Sequence, residues 1–405
     1  MIRLFALLSL ALGLHAQVTL SVAQAVEKAF ATHPLLAEAR QRVASAEGLH
    51  RQAGLAPNPR LLLQSENTRI PVNTPFVYGR DTDNFALLSQ TFEWGGKRTR
   101  RVEAAAAGIE RARQELEVLR RQIAMRVRRA YWEAAGARRM HELLLANLRT
   151  FQQIVDYHEI RVKEGAMAEG DLLRVRLEAD RFALQANLAQ LEAARARIRL
   201  FQEMGQIEFP QTDFIDPLEI AEDRLILADP EKAVEQRAEV AVARMQLEQA
   251  RAGLRLAQSE VRPSYDALFG YKRTNGFDTI VGGLEIALPF RNRNQGNIEA
   301  AAADIRAAEA NLAAVQALVR AEVLAANAEY EIRRRQVTEF LGRFREQANE
   351  TSRIAQAAYR LGGADLLRLL DAERVRIEIE LINYRALMEY RQSIVTLETA
   401  MGVQP

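Results

Sequence analysis

No cysteine occurs among the 405 residues. That removes a disulfide framework, a thiolate metal site, a thiol nucleophile and lipid attachment at an N-terminal cysteine together. Aromatic residues are sparse at 6%, and only 21 Gly and 11 Pro are present, so the composition departs from that of a globular enzyme and favours long helices rich in Ala, Leu, Arg, Glu and Gln. Neither sign of charge dominates: 55 Lys and Arg face 53 Asp and Glu in short mixed blocks, which argues against a nucleic-acid partner. Beyond the N-terminus there is no run of eighteen apolar residues, so a membrane can be met only by strands or by a surface patch. The N-terminus itself carries Arg3, an apolar run from Leu4 to Leu14 and then His15-Ala16-Gln17, and residues 1–16 read as a short secretory signal. Catalytic spacing is missing as well. The five histidines are scattered, and neither His141 nor His158 has a second ligand three or four residues on, so no metal, cofactor or enzymatic site is expected.

Proline placement divides what is present. Pro57, Pro59, Pro71 and Pro75 cluster, none follows until Pro210, and after Pro289 none follows until Pro405. Each Pro-free tract carries apolar or small residues at alternating three- and four-residue steps. Ile123, Val127, Ala130, Ala134, Leu144, Leu148, Phe151 and Val155 do so in the first tract; Val319, Val323, Ala326, Tyr330, Val337, Phe344, Thr351, Ala355 and Ala358 do so in the second. Such seams predict coiled-coil-like helices over 97–163 and 294–361, each ~100 Å long at ~1.5 Å per residue. Both end at glycine followed by a new helix start: Gly165 leads to Asp171-Leu172-Leu173-Arg174, and Gly362-Gly363 leads to Asp365-Leu366-Leu367-Arg368. These read as helix hairpins, with the two Asp residues as candidate N-caps.

The hairpins belong to an internal duplication. Residues 33–40 align with 237–244, Pro59 with Pro263, Val102-Glu103-Ala104-Ala105 with Ile298-Glu299-Ala300-Ala301, and Asp171-Leu172-Leu173-Arg174 with Asp365-Leu366-Leu367-Arg368. The expected layout has a first repeat over 17–204 (helix 19–56, strands 59–68 and 84–93, long helix 97–163, helix 171–204). A linker follows over 205–229. The second repeat covers 230–402 (helix 230–260, strands 264–273 and 279–288, long helix 294–361, helix 365–401). The fold class is mainly α with a β part. The strands are inferred from period-two alternation, as in Tyr265, Ala267, Phe269 and Tyr271, and from the Asn275-Gly276 turn. Gly95-Gly96 and Gly296 mark the passage from strand to helix, and Trp94 beside them sits either at a membrane interface or in a packed core.

Four strands cannot close a barrel, and open edges are prohibitive in lipid, so the chain must oligomerise. Two chains would give eight strands filled by side chains; three give twelve and leave a lumen. The charged residues at the hairpin ends are the candidate functional set: Arg161, Lys163, Glu164, Glu169, Asp171 and Arg174 with Gly165 at the first, and Arg360, Asp365 and Arg368 with Gly362 and Gly363 at the second. They read either as a gate and docking surface or as helix caps and solvated ends.

The duplicated layout, the segment Gln90-Thr91-Phe92-Glu93-Trp94-Gly95-Gly96-Lys97-Arg98 and the segment Leu288-Pro289-Phe290-Arg291-Asn292-Arg293-Asn294-Gln295-Gly296-Asn297-Ile298 resemble TolC-type outer-membrane efflux proteins, in particular the CzcC-like branch serving heavy-metal resistance. The resemblance implies a homotrimer with a twelve-stranded barrel in outer-membrane lipid and a twelve-helix periplasmic tunnel. It also implies docking to a periplasmic adaptor and an inner-membrane proton-driven transporter of the RND type. A duct for drug or protein export is the neighbouring alternative. A soluble coiled-coil scaffold is the alternative from another class, and it requires the absence of strands.

Overall fold

The computed structural model describes residues 18–220 and 228–403, so the expected secretory segment lies outside the described residues. A short strand, β1 (Val18–Leu20), precedes helix α1 (Val22–Thr32), whose Ser21 cap exchanges hydrogen bonds with Gln24 in a capping box. The helix expected over 19–56 is therefore two helices. Residue His33 is pushed to extended backbone by the proline after it, and α2 (Pro34–Ala53) starts with that proline in its first turn. Strand β2 (Arg60–Glu66), a one-turn helix α3 (Tyr78–Asp81) and strand β3 (Asp83–Phe92) follow, then α4 (Lys97–Lys163), α5 (Glu169–Glu203) and a short strand β4 (Thr212–Phe214). The second half opens with α6 (Pro230–Gln236) and α7 (Ala238–Ser259), broken at Arg237 in the same extended conformation as at His33, although no proline follows. Strands β5 (Tyr265–Thr274) and β6 (Phe277–Ile286) are joined by Asn275-Gly276, both at positive φ, the signature of a two-residue type I′ turn. The turn is tighter than the sequence suggested, so β6 begins two residues earlier than expected.

The long helix expected over 294–361 is interrupted. Helix α8 (Gln295–Arg335) passes through a π-helical segment (Gln336–Leu341) into α9 (Gly342–Arg360), and α10 (Leu366–Ala400) completes the chain. The expected seam is out of step between Val337 and Ala355: Phe344 is 47% exposed and Thr351 is exposed, while Leu341, Ala348 and Ser352 are buried in their place; Ala355, an expected seam residue, is buried. A π turn takes one more residue than an α turn, which rotates every later side chain relative to the seam projected from upstream.

The chain divides into two compact units. One comprises Met1–Ala37, Leu119–Arg237 and Val319–Pro405; the other Glu38–Val118 and Ala238–Leu318. The second unit contains a four-stranded antiparallel sheet in the order β2-β3-β5-β6, in which the β3–β5 pairing joins the hairpins of the two halves. Register puts Leu61, Leu63, Leu88, Phe269, Ile280 and Leu284 on one face and Arg60, Glu66, Thr91, Asp266, Lys272 and Glu285 on the other. On the polar face Asp266 accepts from Arg60 at 3.1 Å and from the Thr91 hydroxyl. Where the strands meet the helices, Tyr265 stacks on Phe92 with centroids 5.3 Å apart and meets Trp94 edge-on at 6.2 Å. In the first unit, β1 and β4 pair in parallel, an element the sequence did not suggest, and the buried Tyr131 holds them by donating to the Leu20 carbonyl at 2.9 Å. No helix among the described residues is long and apolar enough to cross a membrane.

Candidate functional site at the hairpin tips

Both hairpin turns lie in the first unit and have the same backbone chemistry. Gly165 and Gly362 adopt φ of 72° and 74°, a left-handed conformation costly for any side chain. Each closes a Schellman motif: Ala166 N–H donates to Arg161 O at 2.9 Å and Gly165 N–H to Val162 O at 3.0 Å; Gly363 N–H donates to Ala358 O at 2.8 Å and Gly362 N–H to Tyr359 O at 3.1 Å. The returning helices start differently. Asp365 caps α10, accepting from Arg368 N–H at 2.9 Å, whereas α5 starts two residues before Asp171, its cap position falls on Ala168, and Asp171 occupies the first turn. There it faces the positive end of the helix without capping it.

Behind the turns, Leu144 and Phe151 of α4, Val175 and Phe182 of α5, and Leu370 and Ile377 of α10 form one apolar cluster, with Phe151 and Phe182 rings 4.6 Å apart. Two polar links are sealed beside it. His158 of α4, 1% exposed, shares one ring nitrogen with the Ile154 carbonyl at 2.8 Å and the other with the Tyr359 hydroxyl of α9 at 2.9 Å; the two rings lie nearly parallel. Burial, then the nearby Tyr157 and Asp171, raises the Tyr359 phenol above its ordinary pKa. The second link centres on Glu373 of α10, 4% exposed. It accepts from the Ser352 hydroxyl and from the Gln356 amide of α9 at 2.5 Å, and from Arg376 at 3.0 Å; Arg376 continues to Asn147 of α4 at 2.7 Å. Burial alone would raise this carboxyl, but the Ser352 and Gln356 hydrogen bonds and then the Arg376 charge outweigh it, and its pKa falls below the ordinary carboxylate value.

The sequence-selected charges distribute around these links. Arg161 and Arg360 line a cleft of about 650 Å³ together with Tyr157, His158, Tyr359 and Glu373, and neither arginine makes an ion pair with a described residue. Arg174, Asp365 and Arg368 line a separate groove of about 600 Å³ with Glu178, Asp371 and Arg374. Lys163, Glu164 and Glu169 are exposed at the first tip; Gly363 stands in the second turn. At the strand-to-helix passages, Gly95 and Gly96 take φ of 77° and 76°, but Gly296 lies within the first turn of α8, and the left-handed position in that half is Asn294 at 59°. Its side chain donates to the Ala257 carbonyl at 2.7 Å, which compensates a conformation that asparagine tolerates better than other residues.

Sequence reasoning missed His158, Tyr359, Glu373, Ser352 and Gln356. The signals existed for two of them: His158 falls three residues past Val155 on the first seam, and Glu373 takes a seam position between Leu370 and Ile377. Polar residues in an apolar seam must find partners. Among the described residues, no group of three or more His, Asp and Glu side chains is placed to hold a metal ion.

Known proteins share this architecture. The cobalt-zinc-cadmium resistance protein CzcC of Cupriavidus metallidurans is 23% identical over 369 residues, which cover 91% of this chain and 86% of that protein. The pyoverdine export outer membrane protein OpmQ of Pseudomonas putida is 24% identical over 390 residues, 90% of this chain and 80% of that one. The crystal structure of the Campylobacter jejuni CmeC outer membrane channel superimposes with a TM-score of 0.79 at 17% identity, covering 94% of this chain and 85% of that one. A model of the outer membrane efflux protein family matches residues 25–206 and 230–403, one stretch in each half of the duplication, and the chain therefore belongs to that family.

Proposed function

We propose that three copies of this outer-membrane efflux channel close a twelve-stranded barrel, and that the hairpin tips form the closable periplasmic end that receives an adaptor and an RND-type pump. The sheet carries the first part of this reading. Among the described residues nothing pairs with the outer sides of β2 and β6, and the apolar face of the sheet is open in the single chain, with Leu63 70% and Ile280 77% exposed. Strands β3, β5 and β6 have ten residues each, which at ~3.3 Å per residue and a ~45° tilt rise about 23 Å, close to the apolar band of an outer-membrane barrel. The Phe92, Trp94 and Tyr265 cluster fits an aromatic girdle at the end nearer the helices. Lipid on the apolar face and water on the face of Arg60, Asp266 and Glu285 follow from that assignment.

For the tips, the supporting observation is the pair of buried polar links together with two cations, Arg161 and Arg360, that have no ion-pair partner among the described residues. Arg161 and Arg360 are then available to acids of a sister subunit, and an arriving adaptor hairpin can compete for them. Replacing Arg360 with glutamate is expected to raise conductance in planar bilayers and antibiotic leak in cells; unchanged conductance for this variant and for Arg161→Glu rejects the gating role. Tyr359→Phe, which deletes the hydroxyl shared with His158, is expected to raise the occupancy of the open state about fivefold, the weight of one hydrogen bond.

The cargo we assign is heavy-metal cations, by likeness to CzcC, with selection performed by the pump rather than by the duct. OpmQ, equally similar, favours a second reading in which a larger organic molecule is carried. A strain lacking the channel separates the two: sensitivity to cobalt, zinc or cadmium supports the first, whereas unchanged metal tolerance with impaired secretion or drug resistance supports the second.

A further inference from the structure

We propose that the π-helical segment Gln336–Leu341 is a one-residue insertion into the second repeat and serves as the bending point about which α9 moves when the tip opens. The inference rests on the reading of the tips as the closable end.

The insertion can be located twice over. Val102 and Ile298 are equivalent in the duplication, and Gly165 and Gly362 are the left-handed glycines that end the two long helical stretches; one residue more separates the second pair than the first. Independently, the buried seam of α8 steps by four and three through Val319, Val323, Ala326 and Tyr330 to Val337. A three-residue step is due next, yet the following buried residue is Leu341, four on, after which Ala348, Ser352 and Ala355 resume the alternation. The surplus residue thus falls inside the π segment. In the first repeat α4 runs as one uninterrupted α-helix over the equivalent stretch.

The segment is built to bend. One carbonyl just before it and one within it hold side chains: Thr338 Oγ1 donates to Arg334 O at 2.9 Å and Arg343 Nε to Glu339 O at 3.2 Å, the first being the back-bonding geometry that curves helices. Gly342 follows at once, and a Cβ there would meet nothing within 4 Å, so packing does not require glycine; its effect is a backbone looser than alanine would give. A cavity of about 690 Å³ lies alongside, lined by Val337, Gly342 and Asn349 with Glu219 and Asn383 opposite, and leaves room for displacement. The anchoring changes character at the same place. Upstream, α8 buries the larger apolar residues Val319, Val323 and Tyr330 and adds the Arg333–Glu389 ion pair at 2.7 Å; downstream, α9 buries only the small Ala348, Ser352 and Ala355 and is tied by polar bonds, Arg345 to Glu380 at 2.9 Å, Ser352 and Gln356 to Glu373, and Tyr359 to His158.

Deleting Thr338 removes the surplus residue while keeping Val337 and Leu341 on one face, and should give a regular helix in a folded trimer. Single-channel recording of Tyr359→Phe in the full-length chain with and without the deletion tests the hinge. The expected result is an increase in open-state occupancy of about fivefold without the deletion and less than about twofold with it, the first figure reflecting one hydrogen bond. Equal increases in both backgrounds overturn the hinge. If Tyr359→Phe has no effect even without the deletion, the gating role of the tips fails instead. Amide exchange then decides the hinge alone: protection across residues 338–345 should rise at least about tenfold on deletion, a measure of local opening, and unchanged protection overturns it. Should the deletion fail to assemble, Gly342→Ala is read the same way, with a smaller rise in protection expected and no rise counting against the hinge.

Discussion

Gly270→Ala is expected to abolish the trimer that survives unheated detergent electrophoresis. Gly270 sits in the middle of β5 opposite Leu87 of β3, at the one pairing that joins the two halves of the sheet. An added Cβ would overlap the Ala86 carbonyl oxygen and stand 2.8 Å from Leu87 Cα. Both are backbone atoms, so no rotamer change can relieve the overlap and the strands must separate. Overpacking against movable side chains already costs about 1–3 kcal/mol, and a clash with fixed backbone lies at or above that range. Gly282→Ala is the control: it stands on β6 with nothing within 4 Å of its added carbon, and should leave assembly intact. Equal behaviour of the two variants would contradict the observed register.

The second large effect is expected at Glu373. Glu373→Ala leaves Arg376, 23% exposed, without its carboxylate and strands the Ser352 and Gln356 donors in a closed site. Breaking such a pair from one side costs about 3 kcal/mol, measured as a lower thermal midpoint of the tip region, whereas replacing both partners, as in Glu373→Leu with Arg376→Met, should recover much of the loss. The sign with pH follows from the depressed pKa. The carboxylate's contribution is complete above the ordinary glutamate value and disappears as pH falls through the lower folded-state value, so acidification below the ordinary carboxylate range should loosen the wild-type tip and leave Glu373→Leu/Arg376→Met unaffected. Equal acid sensitivity in both proteins would remove Glu373 from the account.

What the sequence could and could not disclose follows from the range of the interactions. Helix ends fixed by local backbone chemistry were legible, because a left-handed glycine at Gly165 or Gly362 leaves its mark within one turn. The same holds for the Asn275-Gly276 turn. The break at His33 was also marked locally, by Pro34, and was missed; the break at Arg237, the β1–β4 pairing and the cap at Ala168 carry no such mark within one turn. The seam of the second long helix matches the buried residues up to Val337 and again at Ala355 but misses at Phe344 and Thr351 between them, because periodicity assumes a constant turn and a π segment breaks that assumption silently. Site residues fared worst. Selecting charges at the tips found Arg161 and Arg360, which line the cleft, but not Glu373 or Tyr359 inside it, because a polar group within a seam looks like a defect until its partners from other helices are seen.

The unpaired outer sides of β2 and β6 carry a genetic consequence. When one barrel is shared by three subunits, every junction uses the left edge of one copy and the right edge of another, so a chain damaged at either edge spoils whatever ring it enters. If half the chains in a cell carried such a lesion, random mixing would leave roughly one ring in eight wholly sound. Edge mutations in this protein should therefore behave as dominant, suppressing efflux even beside an intact copy of the gene, while lesions that keep a chain from reaching the assembly should remain recessive.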